Sequence, residues 1–121
     1  MAKAVDIPAK TKRFIHKRDE LCKRCGGMAT DIHHRMRRRE GGHAVENLIG
    51  LCRGCHNWVH AHPTVATAEG YIIRTHVQDI PGAPLLVWAA TRGLAYWARL
   101  NEGITPTPIT KTEVTKWMEA N

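Results

Sequence analysis

Two C-x2-C pairs, Cys22/Cys25 and Cys52/Cys55, stand 26 residues apart, and within and just beyond that interval lie a His33-His34 doublet, Asn47, His56 and His60. Four thiolates at that spacing suit a closed tetrahedral zinc site, with the residues between them folded as a hairpin. A closed site has no open position, so its work is to hold the fold together. His33, His34, His56 and His60 then remain for a second, reactive ion. Disulfides among the four cysteines would call for an export signal, and the lysine-bearing first twenty residues have no apolar core of that kind. A redox dithiol gives no reason for two separated pairs among so many histidines.

A chain of 121 residues supplies one small core with modest appended elements, and a bound metal would relieve its thinness. Charge is divided unevenly: residues 1–62 carry 13 Lys/Arg against 6 Asp/Glu, whereas residues 63–121 carry 5 of each. Seven of the eight histidines also fall in the first part, which therefore reads as a polyanion-binding and metal-binding unit with a neutral support behind it. No apolar run approaches the ~20 residues of a membrane span. The expected setting is a reducing cytoplasm, with no membrane partner.

The fold expected is small α+β. Residues 1–20 form a basic N-terminal segment with a short helix at residues 9–19, and residues 21–63 form the metal-gripped core. In that core, residues 21–27 make a zinc knuckle, and a strand leads to His34. An exposed basic loop follows from Arg35 to Glu46, then a returning strand at residues 48–51 and a helix from Cys52 to about Ala61. Residues 64–121 add a small antiparallel sheet, with strands at 71–77, 85–90 and 94–100, and a terminal helix opened by a capping box of Thr110 and Glu113. All belong to the same domain.

Neighbouring strand residues point to opposite faces, so His33 and His34 divide their work: one binds metal and the other handles a proton. His56 and His60, four apart on a helix, converge with one of the doublet on a single cation. Asp31, two residues before His33, shares its face and either orients that imidazole or binds the metal itself. His16, His43, His62 and His76 read as surface or packing residues, and Trp58, Trp88, Trp97 and Trp117 as core.

Asp31-Ile32-His33-His34, then Asn47-Leu48, then Leu51 to His60 with its Cys52, Cys55 and His56, resemble the HNH endonuclease family, in its form with a four-cysteine zinc. About a third of the chain carries the likeness. The resemblance implies a ββα-metal, treble-clef-like core in which His33, His56 and His60 hold the catalytic ion, His34 is the general base and Asn47 orients it. It also implies hydrolysis of DNA to 5′-phosphate and 3′-hydroxyl ends. Many family members have a proline and fewer charges where this chain has Arg35, Arg37, Arg38 and Arg39, whose guanidinium forks suit phosphate oxygens. Lys23, Arg24 and Arg53 extend the same expected nucleic-acid surface.

The resulting expectation is a DNA endonuclease or nickase, monomeric or weakly dimeric, with a structural Zn2+ and one catalytic divalent cation: Mg2+, Mn2+, Ni2+, Co2+ or Zn2+. Likeness to short phage-encoded HNH proteins implies service in genome packaging with a terminase large subunit and portal. A non-catalytic zinc-stabilised DNA-binding or adaptor module is the competing class, and a dithiol oxidoreductase the third.

Overall fold

The computed structural model describes residues 6–89 and 94–121, a small α+β fold with two antiparallel sheets. Helix α1 (Ala9–Arg18) has no acidic residue in its first turn and ends on Lys17 and Arg18, cations that favour the negative end of a helix. Its apolar side, Phe14 and Ile15, packs with Ile7 and Leu48. The knuckle follows, closed by a lone bridge between Leu21 and Met28. Gly26 sits there at φ +78°, and a Cβ at that position would stand 2.4 Å from the Trp88 ring, so both backbone and packing demand glycine.

Strand β1 (Asp31–His34) pairs antiparallel with β2 (Leu48–Leu51), His33 opposite Ile49 and His34 opposite Leu48. Between them run a short helix α2 (Arg38–Gly41) and a 3-10 turn at Val45–Asn47. This segment departs from an open exposed loop: Arg35 and Met36 are both 2% exposed. Helix α3 (Arg53–Ala61) packs on both strands, and α4 (Pro63–Ala68) begins at the proline that ends it.

The second sheet comprises β3 (Pro84–Ala89), β4 (Leu94–Arg99) and β5 (Thr107–Pro108) in that order. Position 90, expected in a strand, lies outside the described residues, as do residues 1–5. Residues 71–77, expected as a strand, are bends and turns instead. Their backbone is claimed elsewhere: the Tyr71 amide donates to Ala66, the Ile73 amide to Arg35, and the Tyr71 carbonyl accepts from His33. Helix α5 (Lys111–Ala120) has the capping box, Thr110 receiving the Glu113 amide at 3.1 Å.

One apolar cluster joins the halves, setting Cys22, Leu51, Cys55 and Val59 against Tyr71, Leu85, Val87, Ala98 and Leu100. The Trp88 amide also donates to the Lys23 carbonyl at 2.8 Å, tying β3 to the knuckle.

Candidate metal centres and the histidine face

The four thiols come together from the knuckle and the start of α3, Cys52 being the residue that caps the helix. Their ligand atoms all lie within 4.8 Å of one another, and Cys25 and Cys52 Sγ are 3.7 Å apart. A tetrahedral ion with metal–sulfur bonds of about 2.3 Å spaces its sulfurs by about 3.8 Å. A disulfide needs about 2.05 Å, and all four cysteines are free. The cluster therefore fits a structural metal ion. Backbone amides serve it: Gly27 donates to Cys25 Sγ at 3.4 Å and Cys55 to Cys52 Sγ at 3.3 Å. The second of these bonds draws the Cys52 thiol down to about 7. Burial pushes Cys55 up to about 12. Arg24 Nη1 stands 3.5 Å from Cys55 Sγ, with its guanidinium stacked 3.5 Å over the Trp58 ring, where its charge offsets that of thiolates.

On the other side of α3, His56 and His60 meet His33 from β1, with ligand nitrogens within 4.8 Å of one another. The ring centroids are 5.1 Å apart for His33 and His56, 5.6 Å for His33 and His60, and 5.1 Å for the helix pair. Two of these rings are oriented by acceptors. His33 Nε2 lies 2.7 Å from the Tyr71 carbonyl, which only accepts, so Nε2 carries the hydrogen and the Nδ1 lone pair is left for a ligand role. His56 Nδ1 lies 2.8 Å from Asp31 Oδ2, which likewise leaves Nε2. Burial brings His33 down to about 4, so it stays in the neutral, ligating form at physiological pH. His33 is buried, His56 half-buried and His60 exposed, so this cluster opens to solvent on one side.

Asp31 is redirected relative to expectation. Its carboxylate bonds His56 rather than His33 and is bracketed by Arg53, with Nε at 2.8 Å and Nη2 at 3.2 Å. The register of β1 brings Asp31 against the start of α3, where His56 and Arg53 are. Arg53 and His56 together hold its carboxyl well below the usual range.

His34, the next residue of the strand, is not one of the three grouped ligands, and its Nε2 stands 3.0 Å from His43 Nδ1. Burial, then Arg38 and His43, bring it down to about 4. Asn47 is wholly buried, and its side chain is spent on backbone: Oδ1 accepts the Met36 amide at 2.7 Å, while Nδ2 donates to the carbonyls of Met36 at 2.9 Å and Gly42 at 3.0 Å. A Cβ on Gly41 would stand 2.6 Å from that Nδ2, so the turn closes only over glycine.

Two expected nucleic-acid contacts are corrected. Arg35 is inside the protein, its guanidinium donating to the carbonyls of Gly70 (2.8 Å), Glu46 (3.0 Å), Ala83 (3.2 Å) and Pro84 (2.9 Å). It joins the β1 end to the turn before β3. Burial pulls it down to about 9, still charged at neutral pH. Lys23 is 9% exposed and pairs at 3.0 Å with Asp19, a buried carboxylate that also takes Arg18 and the Gly50 amide. Two cations thus neutralise one internal acid, and neither is at the surface. Arg37, Arg38, Arg39 and Arg53 are exposed; Arg37 pairs with Glu40 at 3.2 Å.

The residues that sequence reading passed over are Tyr71 and His43. Tyr71 acts on His33 through a backbone carbonyl, which every residue type has. His43 does carry an identifiable side chain, nine positions after His34 across a Gly-Gly turn. Compared with protein-family models, with curated proteins and with solved structures, the chain matches none.

Proposed function

We propose that this chain is a metal-dependent DNA endonuclease of the HNH type that nicks one strand at a time, built on a ββα-metal core whose four-cysteine centre holds zinc. One observation carries the reading: three imidazoles from β1 and α3 present ligand atoms within 4.8 Å of one another, and His34 is the residue that follows His33 on β1. A packing role for those histidines would not gather nitrogens around one point with His33 and His56 each fixed by an acceptor at its other nitrogen.

A divalent cation held by His33, His56 and His60 would act as Lewis acid, offsetting charge on the scissile phosphate and the departing 3′ oxygen. The remaining work falls to the chain. His34, neutral at physiological pH, accepts a proton from a water in line with the P–O3′ bond. The resulting hydroxide attacks phosphorus as the P–O3′ bond breaks; the departing oxygen takes a proton from solvent to become a 3′-hydroxyl, the phosphate stays on the 5′ end, and His34 returns its proton to solvent. Arg38 and Arg39, exposed just beyond the doublet, hold flanking phosphates in position.

Supercoiled-plasmid cleavage across Mg2+, Mn2+, Ni2+, Co2+ and Zn2+, with end-labelled products, tests the reading. Loss of a positioned general base costs about 10²- to 10⁴-fold, so His34→Ala is expected to lower nicking by that factor while DNA binding and zinc content persist. Undiminished nicking by that variant overturns the mechanism. Binding without nicking under any metal in the wild type leaves the adaptor module in its place.

A further inference from the structure

We infer that His43 is the positioning residue of the proposed base: it accepts the Nε2 hydrogen of His34 and so keeps the His34 Nδ1 lone pair bare for the attacking water. The inference rests on the nuclease reading and adds to it a residue outside the family-like motif.

His34 Nε2 and His43 Nδ1 are 3.0 Å apart, with ring centroids at 5.2 Å and planes at 60°. The hydrogen in that bond belongs to one ring or the other. If His43 donated, the Nε2 lone pair of His34 would be occupied and its Nδ1 would carry hydrogen, leaving no site for a proton. If His34 donates, Nδ1 is free, and the positive charge that arrives with the proton is shared through Nε2–H with a second imidazole. This is the arrangement of a base whose other nitrogen is oriented by a third group.

The backbone is built to present this pair. Asn47 grips Met36, two residues past His34, and Gly42, one residue before His43. The buried amide therefore clamps both ends of the turn between the two histidines, and Gly41 gives it room. Asn47 thus acts on the base through the backbone, and His43 supplies the side-chain contact. The two Asn47 Nδ2 hydrogens go to the Met36 and Gly42 carbonyls, so the ring contact falls to another residue.

The test uses the zinc-loaded full chain and two readouts. Long-range 1H–15N correlation at neutral pH reports which nitrogen of His34 carries hydrogen: Nε2 is expected in the wild type, and a mixture of tautomers in His43→Ala. Protonation at Nδ1 in the wild type, or the same pattern in both proteins, overturns the inference. In plasmid nicking, loss of an orienting partner is expected to lower kcat by about 10- to 100-fold with KM little changed. His43→Gln, whose amide oxygen can accept the Nε2 hydrogen, is expected to restore most of the rate at the same melting temperature. Wild-type nicking matched by His43→Ala sinks the inference alone. A wild type that nicks under no metal sinks the nuclease reading and the inference with it, even where the tautomer is fixed.

Discussion

Helix α3 serves both clusters, yet the two faces it offers are opposites. Cys55 and the capping Cys52 meet Cys22 and Cys25 in a set that includes two buried thiols, with backbone amides and Arg24 supplying the surroundings. One residue on, His56 turns to another side, where with His33 and the exposed His60 it forms a set open to solvent. The thiols link segments distant in sequence, and four sulfur ligands would leave an ion no open position; the imidazoles use only positions that the hairpin and helix have already fixed. The two candidate metal sets thus take adjacent residues of one helix, Cys55 and His56, into separate clusters.

The difference breaks most visibly if the thiol cluster is dispensable. Zinc bound by such a set contributes on the order of 10 kcal/mol, as much as the whole stability of an ordinary domain, about 5–15 kcal/mol. Cys55→Ser, or zinc chelation, is therefore expected to abolish the cooperative melt followed by circular dichroism. A variant that melts as sharply as the wild type would show that the apolar core stands without the ion. His56→Ala should do the reverse, leaving melt and zinc content intact. Its nicking should fall by more than the roughly 10- to 100-fold that loss of a ligand's hydrogen-bond partner costs. Loss of zinc in His56→Ala would mean the two centres are not separate.

Both clusters were legible because helix and strand periodicities are short-range rules. A four-residue step on α3 and the alternation of β1 fix where His56, His60, His33 and His34 point before any tertiary detail enters. What sequence could not supply was the fate of residues whose partners are distant. Arg35 reads as one of four exposed arginines, but its four acceptors come from Glu46, Gly70, Ala83 and Pro84. Lys23 looked free until Asp19 and the β2 backbone closed around it. Residues 71–77 have strand-like composition, and their hydrogen bonds go to Ala66, Arg35 and His33 instead. Asn47 was expected to orient a base, but its bonds to the Met36 and Gly42 backbone depend on the turn closing.

Asp31 sharpens the comparison at the next scale down. It bridges His56 and Arg53, so Asp31→Asn keeps size and one acceptor while removing the charge that favours hydrogen on His56 Nδ1. Cation affinity at the imidazoles, measured by calorimetry with the thiol site already filled, is expected to weaken by about 10- to 100-fold. Zinc at the thiols should be unaffected. An unchanged affinity would assign the Asp31 and Arg53 pair to the surface alone.

The smallest effect belongs to the exposed cations beyond the doublet. Arg38 lies on the surface three residues after Arg35, and the two have opposite surroundings: Arg35 is enclosed by carbonyls, Arg38 faces water. An exposed arginine away from a specific contact changes stability by no more than about 0.5 kcal/mol, so Arg38→Ala should melt like the wild type. If it meets a phosphate, its removal should reduce the slope of log affinity against log salt by about 0.9. Fluorescence anisotropy on a labelled duplex across a salt series measures that slope directly. A slope unchanged in Arg38→Ala and in Arg39→Ala would move the DNA path away from the turn after β1. The exposed cations of α1, Lys10, Lys12, Arg13 and Lys17, would then be the residues to vary.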